Sequence, residues 1–280
     1  ADVEQRGFYD GHAGRKTMND RLGKLKKRRM IKLKSVIYLI SMMTLAGCSG
    51  QKQASVAVEE QSGQWILGPF VRPEGVNPVI SPQPTTFQCP MRKQPVRWEE
   101  SDTFNPAATV KDGKIVVLYR AEDNSAQGIG KRTSRIGYAE STDGVTMSQA
   151  DAPVLFPSED DFKEIEWEGG CEDPRVAMTE DGLYVMLYTA WNRNLPRLAV
   201  ATSRDLKNWT KHGLAFAKAY NGRFANIASK SASIVTGVKD GRLVIEKVAG
   251  KYFMYWGENA VCAATSDNLT DWAPVTNKKY

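Results

Sequence analysis

The chain writes one strand-rich unit three times, and this repetition constrains its fold more than any other feature. Asp112-Gly113-Lys114-Ile115-Val116-Val117-Leu118-Tyr119 is echoed by Asp181-Gly182-Leu183-Tyr184-Val185-Met186-Leu187-Tyr188. The third copy is Ala249-Gly250-Lys251-Tyr252-Phe253-Met254-Tyr255-Trp256. Each is a turn dipeptide leading into β-branched and aromatic residues, the pattern of a hairpin turn entering a buried strand. A second strand follows in each copy, at Arg135–Ser141, Arg197–Ser203 and Ala260–Ser266, and ends in a polar turn at Asp143, Asp205 or Asn268. Equivalent glycines (113, 182, 250) stand 69 and 68 residues apart. A fixed period of short strands with no long helical pattern predicts an all-β fold, a β-propeller, with an irregular β-sandwich as the competing architecture. Three repeats do not close a ring, since propellers need at least ~4 blades. The chain is therefore expected to be a C-terminally incomplete propeller with about three blades present.

Charge separates the ends from the middle. The net charge is +6, but residues 1–47 hold 11 of the 38 Lys/Arg and only 4 of the 32 Asp/Glu. The remainder is almost neutral, so no nucleic-acid footprint is expected. Lys24–Lys34 is basic, Ser35–Leu45 is mostly apolar, and small residues follow, which is the layout of an export signal too short to span a membrane. Its ending, Leu45-Ala46-Gly47-Cys48, resembles a bacterial lipobox, implying cleavage before Cys48 and a lipid on that cysteine. The expected organisation is an unassigned upstream segment (1–29), a lipoprotein signal peptide (30–48), a polar tether (49–63) and the partial propeller (64–280). Such a protein would sit in the bacterial cell envelope, on the periplasmic side or the cell surface, touching the membrane through its lipid alone.

Cys89, Cys171 and Cys262 are widely spaced and odd in number, so no disulfide framework is expected. Two histidines in the whole chain, His12 and His212, give poor support to zinc chemistry or a His-dependent triad. No metal or other cofactor is expected, and His212 is read as a loop residue after Trp209.

Candidate chemistry gathers at strand ends. Gly169-Gly170-Cys171-Glu172-Asp173-Pro174-Arg175 sets two carboxylates and a proline before a strand. Proline biases its predecessor towards an extended conformation, which would orient Asp173, and alternation along a strand would put Glu172 in a different environment. The paired glycines allow close backbone approach. Asn105-Pro106 occupies the equivalent place one repeat earlier, with Ser231 and Ser233 in the third. The next strand ends supply Arg120, Glu122 and Asp123, then Trp191, Asn192 and Arg193, then Gly257, Glu258 and Asn259. Carboxylates, amides, arginines and an indole converging on one axis suit a pyranose, whose hydroxyls need bidentate partners and whose ring needs a flat face. Arg120 with Glu122, or Arg175 with Glu172, can equally be read as rim ion pairs, Trp191 as packing, and Gly128-Ile129-Gly130-Lys131 as a mobile loop. Trp209 and Trp272, at one offset from their repeats, are expected in the core.

Together Phe104-Asn105-Pro106-Ala107, Leu118-Tyr119-Arg120, Ile136-Gly137-Tyr138-Ala139, Glu172-Asp173-Pro174-Arg175-Val176, Tyr188-Thr189-Ala190 and Asp205-Leu206 with Trp209 resemble glycoside hydrolase family 130. The resemblance implies a five-bladed β-propeller acting on β-mannosides, as phosphorylase or hydrolase. It would make Asp173 the general acid, relayed through a substrate hydroxyl, with Asn105 and Arg120 on the mannosyl unit. Asp123, Arg135, Arg175, Trp191 and Lys247 complete the expected substrate-binding set. Where the family's phosphorylases usually offer a His-Arg pair to phosphate, this chain reads Tyr255-Trp256-Gly257-Glu258. A carboxylate there repels a phosphate dianion and suits a base that activates water. The expected activity is thus an inverting, water-dependent β-mannosidase, β-1,2-specific, with Glu258 or Glu246 as base and a mannose-containing oligosaccharide or glycan as partner. The alternatives are a phosphorylase using inorganic phosphate, a related arabinan- or fructan-type hydrolase, and a non-catalytic glycan-binding lipoprotein.

Overall fold

The computed structural model of the protein describes residues 70–277. The expectations for residues 1–63, Cys48 included, lie outside them. Strands β1 (Thr86–Cys89) and β2 (Gln94–Arg97) form a separate hairpin sheet.

Three antiparallel meanders follow. The first is β3 (Asp102–Lys111), β4 (Lys114–Glu122), β5 (Ser134–Ser141) and β6 (Ser148–Gln149). A helical turn, α1 (Lys163–Glu166), leads to the second: β7 (Gly170–Met178), β8 (Tyr184–Trp191), β9 (Pro196–Ser203) and β10 (Thr210–Leu214). The third opens with β11 (Ser233–Ile234), then a hairpin of β12 (Thr236–Lys239) and β13 (Arg242–Ile245), then β14 (Lys247–Val248). It continues through β15 (Lys251–Trp256), β16 (Cys262–Ser266) and β17 (Trp272–Pro274). Both β11 and β14 pair with β15, so the first strand of this meander is split and the β12–β13 hairpin is inserted into it. Val244 of that hairpin pairs in parallel with Met178 of β7.

The repeated sequence turns are repeated structures. Asp112-Gly113 and Ala249-Gly250 take left-handed φ at both residues, as a tight hairpin requires. After the second strand of each copy, Asp143, Asp205 and Asn268 accept backbone N–H groups two and three residues ahead. Each motif closes its own turn locally. Trp209 and Trp272 then each donate their indole N–H to the carbonyl three residues back, on Leu206 and Leu269. His212 lies within β10 rather than in a loop, its Nε2 2.8 Å from Thr202 Oγ1.

Both faces of the second meander are buried, which explains why β8 reads as a continuous apolar run. Tyr184, Met186 and Tyr188 pack with Leu118, Ile136 and Tyr138 of the first meander. Val185 and Leu187, pointing the other way, pack with Phe216, Met254 and Trp272 towards the third. Burying a side chain of this size contributes ~1.5–3 kcal/mol, so the two interfaces are the main source of cohesion between meanders. Period-two alternation thus serves two cores at once.

Candidate active site

The site begins with a backbone irregularity. Pairing of β3 with β4 slips between Phe104 and Ala107, and pairing of β7 with β8 slips between Glu172 and Arg175. The residues inside these bulges, Asn105 and Asp173, have φ of 45° and 49°. The third meander repeats the device without a proline. Gly257 N–H donates to the Lys230 carbonyl at 2.9 Å, Ser233 pairs with Tyr255, and Ser231 between them has φ 56°. Proline was expected to hold Asp173 extended; the left-handed bulge overrides that bias, and Ala232 after Ser231 shows that the bulge does not need proline. A bulge also breaks the in–out alternation of a strand. Glu172 and Asp173, expected in separate environments, consequently face the same guanidinium.

That guanidinium is Arg120, at the end of β4. Its Nη2 lies 2.6 Å from Glu122 Oε1 and 2.7 Å from Glu172 Oε1, while Nη1 lies 3.1 Å from Asp173 Oδ1. Its Nε donates to Ser134 Oγ at 3.0 Å, and its plane stands 4.6 Å from the centre of the Phe104 ring. Asn105 Nδ2 donates to the same Asp173 Oδ1 at 2.8 Å. Asp173 Oδ2 is left with no hydrogen-bond partner among the described residues. Arg120, Glu122, Glu172 and Asp173 are all buried. The earlier pairing of Glu172 with Arg175 does not form, because Arg175 turns back to the Pro174 carbonyl at 2.8 Å.

Three buried carboxylates share the Arg120 guanidinium, and Arg132 reaches Glu122 from its other oxygen. Burial, with the negative charges of Asp173 and Glu122 added to it, outweighs the Arg120 attraction and raises Glu172 to about 7. Glu172 thus holds its proton more tightly in the folded protein than in the unfolded chain. Its contribution to stability is full below pH ~4.5 and is lost as pH rises through ~7. The thermal midpoint of the wild type should therefore fall, relative to that of Glu172→Gln, between about pH 5 and about pH 8. Parallel pH profiles for the two proteins would contradict this.

Other expected residues surround the cluster. Arg135 donates to Asp123 Oδ2 at 2.9 Å; burial alone would raise the Asp123 carboxyl, but this guanidinium and the hydrogen bonds from Ser125 hold it below its usual range. Trp191 donates its indole N–H to the Gly130 carbonyl at 2.7 Å, so the loop read as mobile is tied at its tip. The paired glycines do permit close approach: a Cβ on Gly169 would meet Trp191 Cδ1 at 2.1 Å, and one on Gly170 the Ser134 carbonyl oxygen at 2.0 Å. Glu258, its side chain 62% exposed, lies 3.3 Å from Lys230 Nζ, and the Lys230 charge acts on Glu172.

Glu246 and Lys247 are not brought to the cluster. They follow Val244, which pairs with Met178 at the far end of β7, roughly 15 Å along the strand from Asp173. The inserted hairpin carries them there; Glu246 packs against Gly237, and Lys247 Nζ lies 4.8 Å from the Tyr252 ring centre. Ser134, Phe104 and Lys230, not expected as site residues, also face the cluster. Lys230 could have been found by extending the repeat one residue back from Ser231, to the position of Glu172.

An all-β chain of repeated meanders, with an acid, an amide and an arginine gathered at matching bulges, has the make-up of a carbohydrate-active enzyme. The family model for glycoside hydrolase family 130, described as β-1,4-mannooligosaccharide phosphorylase, matches residues 75–277, and the chain belongs to this family. A 1,2-β-oligomannan phosphorylase from Thermoanaerobacter sp. (strain X514) is 32% identical over 65% of this chain and 55% of its own. A structure of a candidate glycoside hydrolase from Bacteroides ovatus is 75% identical, with a TM-score of 0.73, over 76% of this chain and 61% of that one. Another, from work describing family members that are hydrolases targeting β-1,2-mannosidic linkages in Candida mannan, is 61% identical with a TM-score of 0.75, over 76% and 60%. The chain spans about half the length of the curated relatives it matches.

Proposed function

We propose that the protein cleaves β-mannosidic bonds, of the β-1,2 type, by inverting hydrolysis, and that its meanders are three blades of a five-bladed propeller. The observation that carries this is the asymmetry of Asp173. Asn105 and Arg120 both hold Oδ1 and fix the carboxyl, leaving Oδ2 to pass a proton to a substrate hydroxyl. Asn105 and Arg120 then also border the mannosyl unit. The propeller reading draws support from the meanders packing in series, and from the third presenting Tyr255, 53% exposed, on the face away from the second.

Water rather than phosphate is favoured by the pairing of Lys230 with Glu258, which offsets the lysine charge that phosphate would otherwise use. This lysine, close enough to Glu172 to lower its proton affinity, is paired with Glu258. A phosphate dianion arriving there would meet the Glu258 carboxylate, which in this reading takes a proton from water. Inversion asks for acid and base ~6.5–9.5 Å apart. Export and lipidation at Cys48 fit the same proposal, because phosphorolysis conserves bond energy only where the sugar phosphate is retained.

Incubation with β-1,2-mannobiose, with and without inorganic phosphate, tests the reading. Release of α-mannose at a rate indifferent to phosphate is expected when products are followed by NMR before mutarotation. Appearance of mannose 1-phosphate would establish the phosphorylase instead.

A further inference from the structure

We propose that Trp191 is a positioning residue: its indole latches the loop between β4 and β5, residues 123–133, beside the Asp173 cluster, and the latched loop forms one wall of the sugar-binding space. The second part rests on the mannoside reading above; the latch itself does not.

Both ends of this loop are joined to the cluster. It leaves β4 after Glu122 and enters β5 at Ser134, and both residues bond Arg120. It is longer than the equivalent loops of the other two meanders, which cover only residues 192–195 and 257–261. A connection of that length is ordinarily loose, yet this one is fastened at its base, flank and tip. At the base, Asp123 Oδ1 accepts the N–H groups of Ser125 at 3.0 Å and Thr133 at 3.2 Å. Arg135, 1% exposed, braces the same carboxylate from beneath and donates to the Thr133 carbonyl at 3.3 Å. On the flank, Arg132 reaches Asp102 and Glu122 and donates to the Ala126 carbonyl at 3.4 Å.

At the tip the only side-chain bond to Gly128–Lys131 among the described residues comes from the next meander, the Trp191 indole N–H to the Gly130 carbonyl. Trp191 can serve as a fixed post because its pyrrole edge lies against Gly169, with no room for a Cβ. Beside the latched carbonyl, Ile129 is 66% exposed. An apolar side chain held at the tip of a fastened loop is suited to the C–H face of a sugar ring.

Trp191→Phe keeps the ring against Gly169 and removes the N–H. Amide hydrogen exchange over residues 125–131 should accelerate at least about threefold, and KM for mannooligosaccharides should rise about threefold to tenfold, the worth of one hydrogen bond. The kcat should stay within about twofold, since Trp191 contacts none of the cluster carboxylates. Unchanged loop exchange overturns the latch; a fall in kcat at constant KM overturns the positioning role. Should the variant not fold, the wild type still decides, because the Trp191 indole proton must be protected from exchange in its NMR spectrum, and a freely exchanging one overturns the latch. Ile129→Ser, at an exposed position, should raise KM severalfold with kcat unchanged, and an unaltered KM refutes the wall. If the wild type does not turn over β-1,2-mannobiose, the mannoside reading fails, while the exchange measurements judge the latch separately.

Discussion

Replacement of Asp173 by Asn should lower kcat by about two to four orders of magnitude, the range for loss of a positioned general acid. The substitution preserves volume and lets the amide oxygen accept from Asn105 and Arg120 as Oδ1 does now. It removes the proton that Oδ2 would deliver. Binding of a mannooligosaccharide, followed by calorimetry, should remain within about tenfold of wild type, because the groups that hold the sugar are untouched. Turnover persisting at wild-type rate would return the site to a glycan-binding role. A matched loss of binding and turnover would make Asp173 a substrate anchor and not the acid. An activated substrate whose leaving group needs no proton offers a further check, since it should recover much of the lost rate in Asp173→Asn.

The largest effect on stability is expected at Arg120. Its side chain is 5% exposed and is shared by Glu122, Glu172 and Asp173. Removing one partner of a buried ion pair costs about 3–5 kcal/mol, because the other charge remains desolvated. Arg120→Ala leaves Glu172 and Asp173 without their guanidinium around a cavity, while Glu122 keeps Arg132, so the upper part of that range applies. For a domain of this size each kcal/mol lowers the melting temperature by about 2–4 °C, and a fall of about 10 °C or more is expected by scanning calorimetry. Adding Glu122→Gln and Glu172→Gln to Arg120→Ala should recover part of the loss, since the uncompensated charge is then reduced to Asp173. A fall under about 2 °C would mean that the cluster is not held together by this guanidinium.

Much of the fold could be read in the sequence because it depends on local rules. The Gly113, Gly182 and Gly250 turns, the strands after them and the polar turns at Asp143, Asp205 and Asn268 each follow from a few adjacent residues, three times over. The site was legible in outline only. Asn105, Arg120 and Asp173 meet because equivalent positions in a repeat occupy equivalent places, whereas Glu246 and Lys247 were misplaced because a hairpin inserted between β11 and β14 displaces them along the sheet. The sharing of Arg120 by Glu172 and Asp173 was hidden for another reason. Alternation is a good rule for a regular strand, and the bulge that cancels it has no signature stronger than a proline whose usual preference points the other way. His212 went astray more simply, as a polar residue in a short outer strand whose apolar pattern is weak.

The threefold bulge separates shape from chemistry. Its backbone is the same whether the residue in the left-handed position is Asn105, Asp173 or Ser231, an amide, an acid or an alcohol. A duplicated segment of this kind supplies interchangeable sockets aimed at neighbouring points, and a new side chain can be tried in one socket without redrawing the others. Reassigning the acid, or changing which hydroxyl is held, then requires one codon in place of a rebuilt loop. Divergence between enzymes built on such sockets would proceed by substitution within them and by lengthening of the connections beside them, at little risk to the sheets underneath.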